Sequence, residues 1–236
     1  MLKGIELVVF DFDQTIADSP KGFDIAFKKV MDEFKVFLET HGHPIELEPF
    51  HPDLRKLMRE LDQKRQYNRD LWWNRLLKKM GISDIQFNAE ECKKLTRIYW
   101  DITAEHTELY PDTLEILEYL RNKGYKLGLI TDTDGSPGIK KRRLERSGLL
   151  SYFDGILIAG DDLPQIKPDP TPFLKLAELL GVPPIACVMI GDKPFTDIKG
   201  GKAAGFRTIL ILRENWKVDP KPDFQIHELS DLKSIL

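Results

Sequence analysis

Apolar residues in this chain fall into two patterns. Five short, almost wholly apolar runs (Leu7–Phe10, Lys126–Ile130, Ile156–Ala159, Ala186–Ile190 and Thr208–Leu212) predict strands buried on both faces. Between the later runs the spacing becomes helical. Thr113–Lys123 carries Leu114, Ile116, Leu117 and Leu120 and ends at Gly124. Ile139–Arg146 is basic and ends near Gly148; Thr171–Leu180 follows Pro170 and stops at Gly181; Asp197–Ala204 stops at Gly205. Glycine just past a helix is the expected stop signal. Strands alternating with helices of this length predict crossover units, hence an α/β fold with a doubly wound, mostly parallel sheet. The tail, Ile226 to Leu236, predicts an edge strand and a last short helix.

The segment after the first strand differs. Phe23–Leu38 places Phe23, Ala26, Phe27, Val30, Met31, Phe34 and Phe37 on one helical face. Leu54–Leu61, Tyr67–Met80 and Ala89–Thr103 also read as helices, with loops at His43-Pro44 and Phe50–Pro52. The expected organisation is therefore a core of residues 1–18 and 109–236, interrupted by an all-helical cap over 19–108.

Composition narrows the function classes. The chain has 236 residues, 42% apolar and 31% charged, enough for one large domain or a domain carrying an insert. A formal net charge of -3 and no long basic run argue against nucleic acid as the main partner. The two cysteines, Cys92 and Cys187, give no disulfide framework and suggest a reducing compartment. No stretch approaches the ~20 apolar residues that span a bilayer, and the first residues do not read as a signal peptide. The expectation is a cytoplasmic protein with no membrane partner, monomeric or weakly self-associating.

The chemistry sits at the strand ends, which share one edge of a parallel sheet. The first strand ends in Asp11-Phe12-Asp13-Gln14-Thr15, the second in Thr131-Asp132-Thr133, and the fourth in Gly191-Asp192-Lys193 with Asp197 beyond; Lys167-Pro168 follows the third. Like charges ~4 Å apart repel by about 4 kcal/mol at an effective dielectric of ~20. Converging carboxylates therefore call for a cation, and an oxygen-only ligand set with few protein donors favours magnesium. A metal, a lysine and a hydroxyl together suit a phosphoryl group. One aspartate can attack phosphorus; a second carboxylate can protonate the leaving oxygen and then activate water. Each element also has a plain structural reading: a turn at Asp13, a surface lysine before a proline, a dipole partner at Asp197.

Taken in order, these motifs resemble those of the haloacid dehalogenase-like superfamily, in its branch with a helical cap between the first and second motifs. The resemblance covers nearly the whole chain. It implies that Asp11 is the nucleophile and Asp13 the general acid/base. Thr131, Asp132 and Lys167 would bind the phosphoryl group. Asp11, the main-chain carbonyl of Asp13, and Asp192 would hold magnesium, with Asp197 in support. Family members usually carry glycine where Gln14 stands. The dehalogenase branch lacks an acid at the position of Asp13, so its presence favours phosphate chemistry. The expected activity is hydrolysis of a small phosphorylated metabolite through an aspartyl-phosphate. A phosphomutase is the alternative, with a dehalogenase or a phospho-ligand-binding protein behind it. In the cap, helical spacing would bring Arg65 and Arg69 onto one face near Trp72, as candidate substrate contacts.

Overall fold

The structure, a computed structural model, describes residues 2–236. It runs β1 (Leu7–Phe10), β2 (Ala17–Asp18), α1 (Ser19–Thr40), α2 (His51–Gln63), α3 (Trp73–Lys79), α4 (Ala89–His106), β3 (Glu108–Leu109) and α5 (Thr113–Asn122). It continues through β4 (Lys126–Asp132), α6 (Ile139–Arg146), β5 (Gly155–Ala159), α7 (Thr171–Leu179) and β6 (Cys187–Gly191). The remaining elements are α8 (Lys199–Ala203), β7 (Arg207–Ile211), β8 (Phe224–Ile226) and α9 (Leu232–Ile235). The chain divides into two compact units. One comprises residues up to Ser19, Thr107–Thr133 and Lys140–Leu236; the other comprises Pro20–His106 and Asp134–Ile139.

The first unit is a six-stranded sheet in the order β5-β4-β1-β6-β7-β8, with every neighbouring pair parallel. β1 lies between β4 and β6, and all four of its residues are buried. Its alternation serves both layers. Val8 and Phe10 pack with Ile116, Leu117 and Leu120 of α5 and Leu232 of α9. Leu7 and Val9 pack with Phe173, Leu176 and Ala177 of α7. This is why the run carries no polar position. The chain winds from β1 through β4 to β5, then returns past β1 to β6, so the order reverses between β1 and β6. In open sheets the crevice beyond such a switch point is where ligands bind. β2 and β3 form a two-residue antiparallel ribbon, Ala17 opposite Leu109 and Asp18 opposite Glu108, at the points where the chain departs for the helical unit and returns. It is too short to leave a hydrophobic period in the sequence.

The helical unit has its own core. Ala26, Phe27, Val30, Met31, Phe34 and Leu38 of α1 meet Trp73, Leu76 and Leu77 of α3 and Leu95, Tyr99 and Trp100 of α4. Trp73 Nε1 donates to Thr96 Oγ1 at 2.9 Å, so the indole satisfies its one polar atom inside that core. α4 begins with a capping box: Asn88 Oδ1 accepts from the amides of Glu90 and Glu91 at 3.0 Å, and Glu91 Oε2 accepts from the Asn88 amide at 2.7 Å.

Two expectations are corrected here. The helix expected over Tyr67–Met80 begins only at Trp73; Arg69–Leu71 is a 3-10 turn capped by Asn68, and Arg65 lies in a left-handed turn at φ 57°. Arg65 and Arg69 therefore do not share a helical face. The stretch Asp134–Ile139, expected in the core unit, clusters with the helical one. Ile139 is buried in the helical core, and Gly135, at φ +89°, backs so closely onto Tyr67 that a Cβ would fall 2.0 Å from its carbonyl oxygen.

At the start of α8, Gly200 lies against α7: a Cβ there would come within 2.4 Å of the Phe173 ring and 3.2 Å of Pro168 Cα. Alanine normally gains about 1 kcal/mol over glycine inside a helix, whereas overpacking costs about 1–3 kcal/mol. With backbone and a buried ring in the way, overpacking wins. Gly200→Ala is expected to lower the urea midpoint by the equivalent of about 1–2 kcal/mol with an unchanged slope. An unchanged or raised midpoint would show that the α7–α8 contact yields easily.

Candidate active site

The parallel register explains how distant carboxylates meet. Phe10 is opposite Ile190, and the Asp11 amide extends that ladder by donating to the Ile190 carbonyl at 2.9 Å. Asp11 thus stands one residue past β1, and Asp192 one residue past β6. Asp197 follows in a π-helical turn, Pro194–Ile198, which then passes into α8. Its Oδ2 accepts from the Lys193 amide at 3.0 Å, which fixes the carboxylate against its own loop. Such turns recur at functional sites because they re-aim a side chain. Carboxylate oxygens of Asp11, Asp192 and Asp197 all lie within 4.8 Å of one another, and all three residues are buried.

Lys167 enters this group from the loop between β5 and α7. Its Nζ donates to Asp11 Oδ1 and to Asp197 Oδ1, each at 2.6 Å. Burial pulls its pKa down, but Asp11, Asp197 and Asp132 outweigh that and hold the ammonium well above its usual value. Asp132, expected to bind the phosphoryl group, makes a bond to the lysine loop. Its Oδ1 accepts from the Lys167 backbone amide at 3.0 Å and so fixes the loop that delivers the lysine. A carboxylate is in any case a poor anion ligand. Thr131 is buried in β4, the strand beside β1.

Asp192 differs from its neighbours. Both of its carboxylate oxygens are buried and make no hydrogen bond. Burial pushes its pKa well up; Lys193 pulls against this, while Asp197 and Asp11 push with it. Asp11 is also raised, by burial first, with Lys167 opposing and Asp197 adding. Gly191 leaves no room for adjustment: a Cβ there would lie 2.4 Å from Asp197 Cβ.

Asp13 stands outside the carboxylate cluster. Lys140 Nζ donates to its Oδ2 at 2.5 Å, Arg143 Nη1 to the same oxygen at 3.2 Å, and Arg143 Nη2 and the Ser19 hydroxyl to Oδ1. Burial raises its pKa, but Arg143 and Lys140 together outweigh that and hold the carboxyl well below its usual value. The sequence reading missed both cations, because α6 looks like a solvated basic helix. The available signal was that Lys140, Arg143 and Leu144 fall at i, i+3 and i+4, one face of that helix. Asp13's neighbour Gln14 sits at φ 60°, the backbone region glycine favours, and its amide donates to the Ala17 carbonyl at 2.7 Å.

Of the residues expected in the helical unit, Arg65 is exposed. Trp72 is buried, with Nε1 donating to the Gln66 carbonyl at 2.6 Å, and so belongs to the packing of that unit. Arg69 is buried beside it, with its guanidinium carbon 4.0 Å from the Trp72 ring centroid.

Many known proteins are similar to this chain. A phosphoglycolate phosphatase from Aquifex aeolicus is 29% identical over 98% of this chain and 97% of its own length. A glyceraldehyde 3-phosphate phosphatase from Pyrococcus furiosus is 26% identical over 88% of this chain and 81% of its own. The crystal structure of a HAD phosphatase from Thermococcus onnurineus superposes with a TM-score of 0.70, at 30% identity, covering 98% of this chain and 97% of that one. The family model for haloacid dehalogenase-like hydrolases matches residues 8–211. That span runs from β1 to the end of β7 and takes in every carboxylate of the cluster: the chain belongs to the haloacid dehalogenase-like hydrolases.

Proposed function

We propose that this chain is a magnesium-dependent phosphatase acting on small phosphate monoesters. One observation carries the reading: Lys167 bridges Asp11 and Asp197 beside Asp192, whose two buried oxygens have no partner. Three carboxylates against one ammonium leave two negative charges in a buried spot, the charge of one divalent cation. The donors are all oxygens, as magnesium prefers. Asp11 and Asp192 would hold the ion, with Asp197 beside them. When bound it neutralises phosphoryl charge and favours attack at phosphorus.

The protein's own groups then divide the work. An Asp11 carboxylate oxygen attacks phosphorus in line; the phosphorus–ester oxygen bond breaks, and Asp13 gives the leaving oxygen its proton. Water then attacks the acyl phosphate, Asp13 takes the water's proton, and phosphate departs with Asp11 restored. Lys167 and Thr131 hold the phosphoryl oxygens. In its pairing with Lys140 and Arg143, Asp13 is held ionised, the form that accepts a proton from water. To protonate a leaving group it must exchange those partners for the ester oxygen. Monoester hydrolysis is among the slowest uncatalysed reactions, so nucleophile, lysine and metal must act together. The relatives are named for different substrates, so they support the reaction class rather than one metabolite.

Asp11→Asn is expected to abolish both release of inorganic phosphate from p-nitrophenyl phosphate and labelling of the protein by a radiolabelled phosphate ester. Asp13→Asn is expected to slow turnover by about 10²–10⁴-fold. Full phosphate release by Asp11→Asn would end the nucleophile assignment.

A second prediction concerns pH. Because the folded-state pKa of Asp192 is raised, this carboxyl holds its proton more tightly in the metal-free folded chain than in the unfolded one, and its contribution to stability falls as pH rises through the folded value. Magnesium needs the ionised carboxylate and competes with the proton. Added magnesium is therefore expected to raise Tm, by an amount that grows with pH and is abolished by EDTA. A magnesium-induced shift that shrinks as pH rises would contradict the assignment of Asp192 as a ligand.

A further inference from the structure

The loop between β5 and α7 that delivers Lys167 is turned back on itself at each end. At its start the Gly160 amide donates to the Leu163 carbonyl at 2.8 Å, and the Asp161 and Asp162 amides donate to the Ile158 carbonyl. At its far end the Asp169 amide donates to the Ile166 carbonyl at 3.0 Å, and Asp169 Oδ1 accepts from the Thr171 amide at 2.9 Å, where α7 begins. These bonds shape the two turns, and none of them reaches another strand. The ties to β4 come from the two residues after Thr131. Asp132 Oδ1 accepts from the Lys167 amide at 3.0 Å. The Thr133 amide donates to the Ala159 carbonyl at 2.7 Å, and the Thr133 hydroxyl donates to Asp161 Oδ1. Gly160, at φ +94°, lets the loop lie directly on Thr133: a Cβ there would fall 2.5 Å from Thr133 Cγ2 and 3.0 Å from Ile166 Cγ2, on the residue before Lys167.

We propose that Asp132 and Thr133 are positioning residues that clamp the β5–α7 loop to the end of β4 and so hold Lys167 at the phosphoryl site. This rests on the phosphatase reading and gives β4 a part in the reaction beyond Thr131. A lysine side chain is a long flexible stem, so where its ammonium can settle depends on where its backbone is held. Lys167 Nζ has to stay 2.6 Å from both Asp11 and Asp197. Asp132 is the closer tie, because its charged oxygen bonds the lysine's own amide; Thr133 steadies the start of the same loop. Both act through Lys167 and not on the reacting atoms. A displacement of about 1 Å in a group that orients the substrate can cost about 100-fold in rate.

The test measures kcat and KM for p-nitrophenyl phosphate on the magnesium-loaded full chain. Asp132→Ala removes the acceptor and is expected to lower kcat about 10- to 100-fold. Asp132→Asn keeps an acceptor oxygen and is expected to recover kcat to within about threefold of wild type. Thr133→Val keeps the shape but not the hydroxyl, and is expected to lower kcat about 3- to 10-fold. The magnesium-induced rise in Tm should persist in every variant, because Asp11 and Asp192, not the loop, would hold the ion. A kcat unchanged in Asp132→Ala, or a loss in Asp132→Asn as large as in Asp132→Ala, overturns the positioning role and leaves the phosphatase reading standing. So does loss of the magnesium-induced Tm rise in Asp132→Ala, which would place the damage at the metal rather than the lysine. A lower KM in Asp132→Asn at unchanged kcat also overturns it, since that marks a carboxylate facing the phosphoryl group. No phosphate release by the magnesium-loaded wild type overturns both readings. Should Asp132→Ala not fold, as judged by its thermal melt, Thr133→Val decides, and full kcat in that variant overturns the clamp.

Discussion

The structure depends on one buried electrostatic arrangement: an ammonium wedged between two carboxylates, with a third carboxylate beside them and unpartnered. Each like-charge pair at about 4 Å costs about 4 kcal/mol at an effective dielectric of ~20. A domain is stable by only about 5–15 kcal/mol in total. Lys167 offsets part of the repulsion by pairing with Asp11 and Asp197 at 2.6 Å each, but it leaves Asp192 to find its own partner. The fold tolerates this because the group is assembled from rigid parts. Two strand ends are fixed by the β1–β6 ladder, a π turn is tied back on itself at Lys193, and the lysine loop is pinned by Asp132. Rigid supports of this kind hold the three carboxylates together despite their repulsion.

The same loop gives two aspartates, two positions apart, opposite environments. Asp11 is buried among other carboxylates and its pKa rises; Asp13 is buried among Lys140, Arg143 and Ser19 and its pKa falls. Neighbouring carboxyl groups driven apart in this way can take different roles in one reaction. The divergence comes from the turn after β1. The amides of Thr15, Ile16 and Ala17 converge on the Phe12 carbonyl, and Gln14 takes a left-handed conformation. That conformation gives a physical reason for the family's preference for glycine there, since a side chain costs roughly 1–2 kcal/mol in that region. Here the Gln14 amide's bond to Ala17 helps to hold the turn.

Much of this was legible in the sequence, and the exceptions have physical causes. The strands could be read because a centre strand buried on both faces admits almost no polar residue, as β1 shows. Asp11, Asp192, Asp197 and Lys167 could be read because parallel strands deliver their ends to one edge. Sequence position does not reveal where a carboxylate points; Asp132 Oδ1 accepts from the Lys167 backbone amide. Lys140 and Arg143 were passed over because a basic octapeptide normally faces water; only the partner, far away in sequence, makes them buried. Arg65 and Arg69 were grouped by a helical period that the chain breaks just after α2, where Arg65 turns left-handed.

The two compact units have separate hydrophobic cores. The carboxylate cluster hangs on the sheet, whose two layers close without a residue from the helical unit. Arg69 stacks on Trp72, Tyr99 and Trp100 of the helical unit. The register that brings Asp11 beside Asp192 is set within the sheet unit alone.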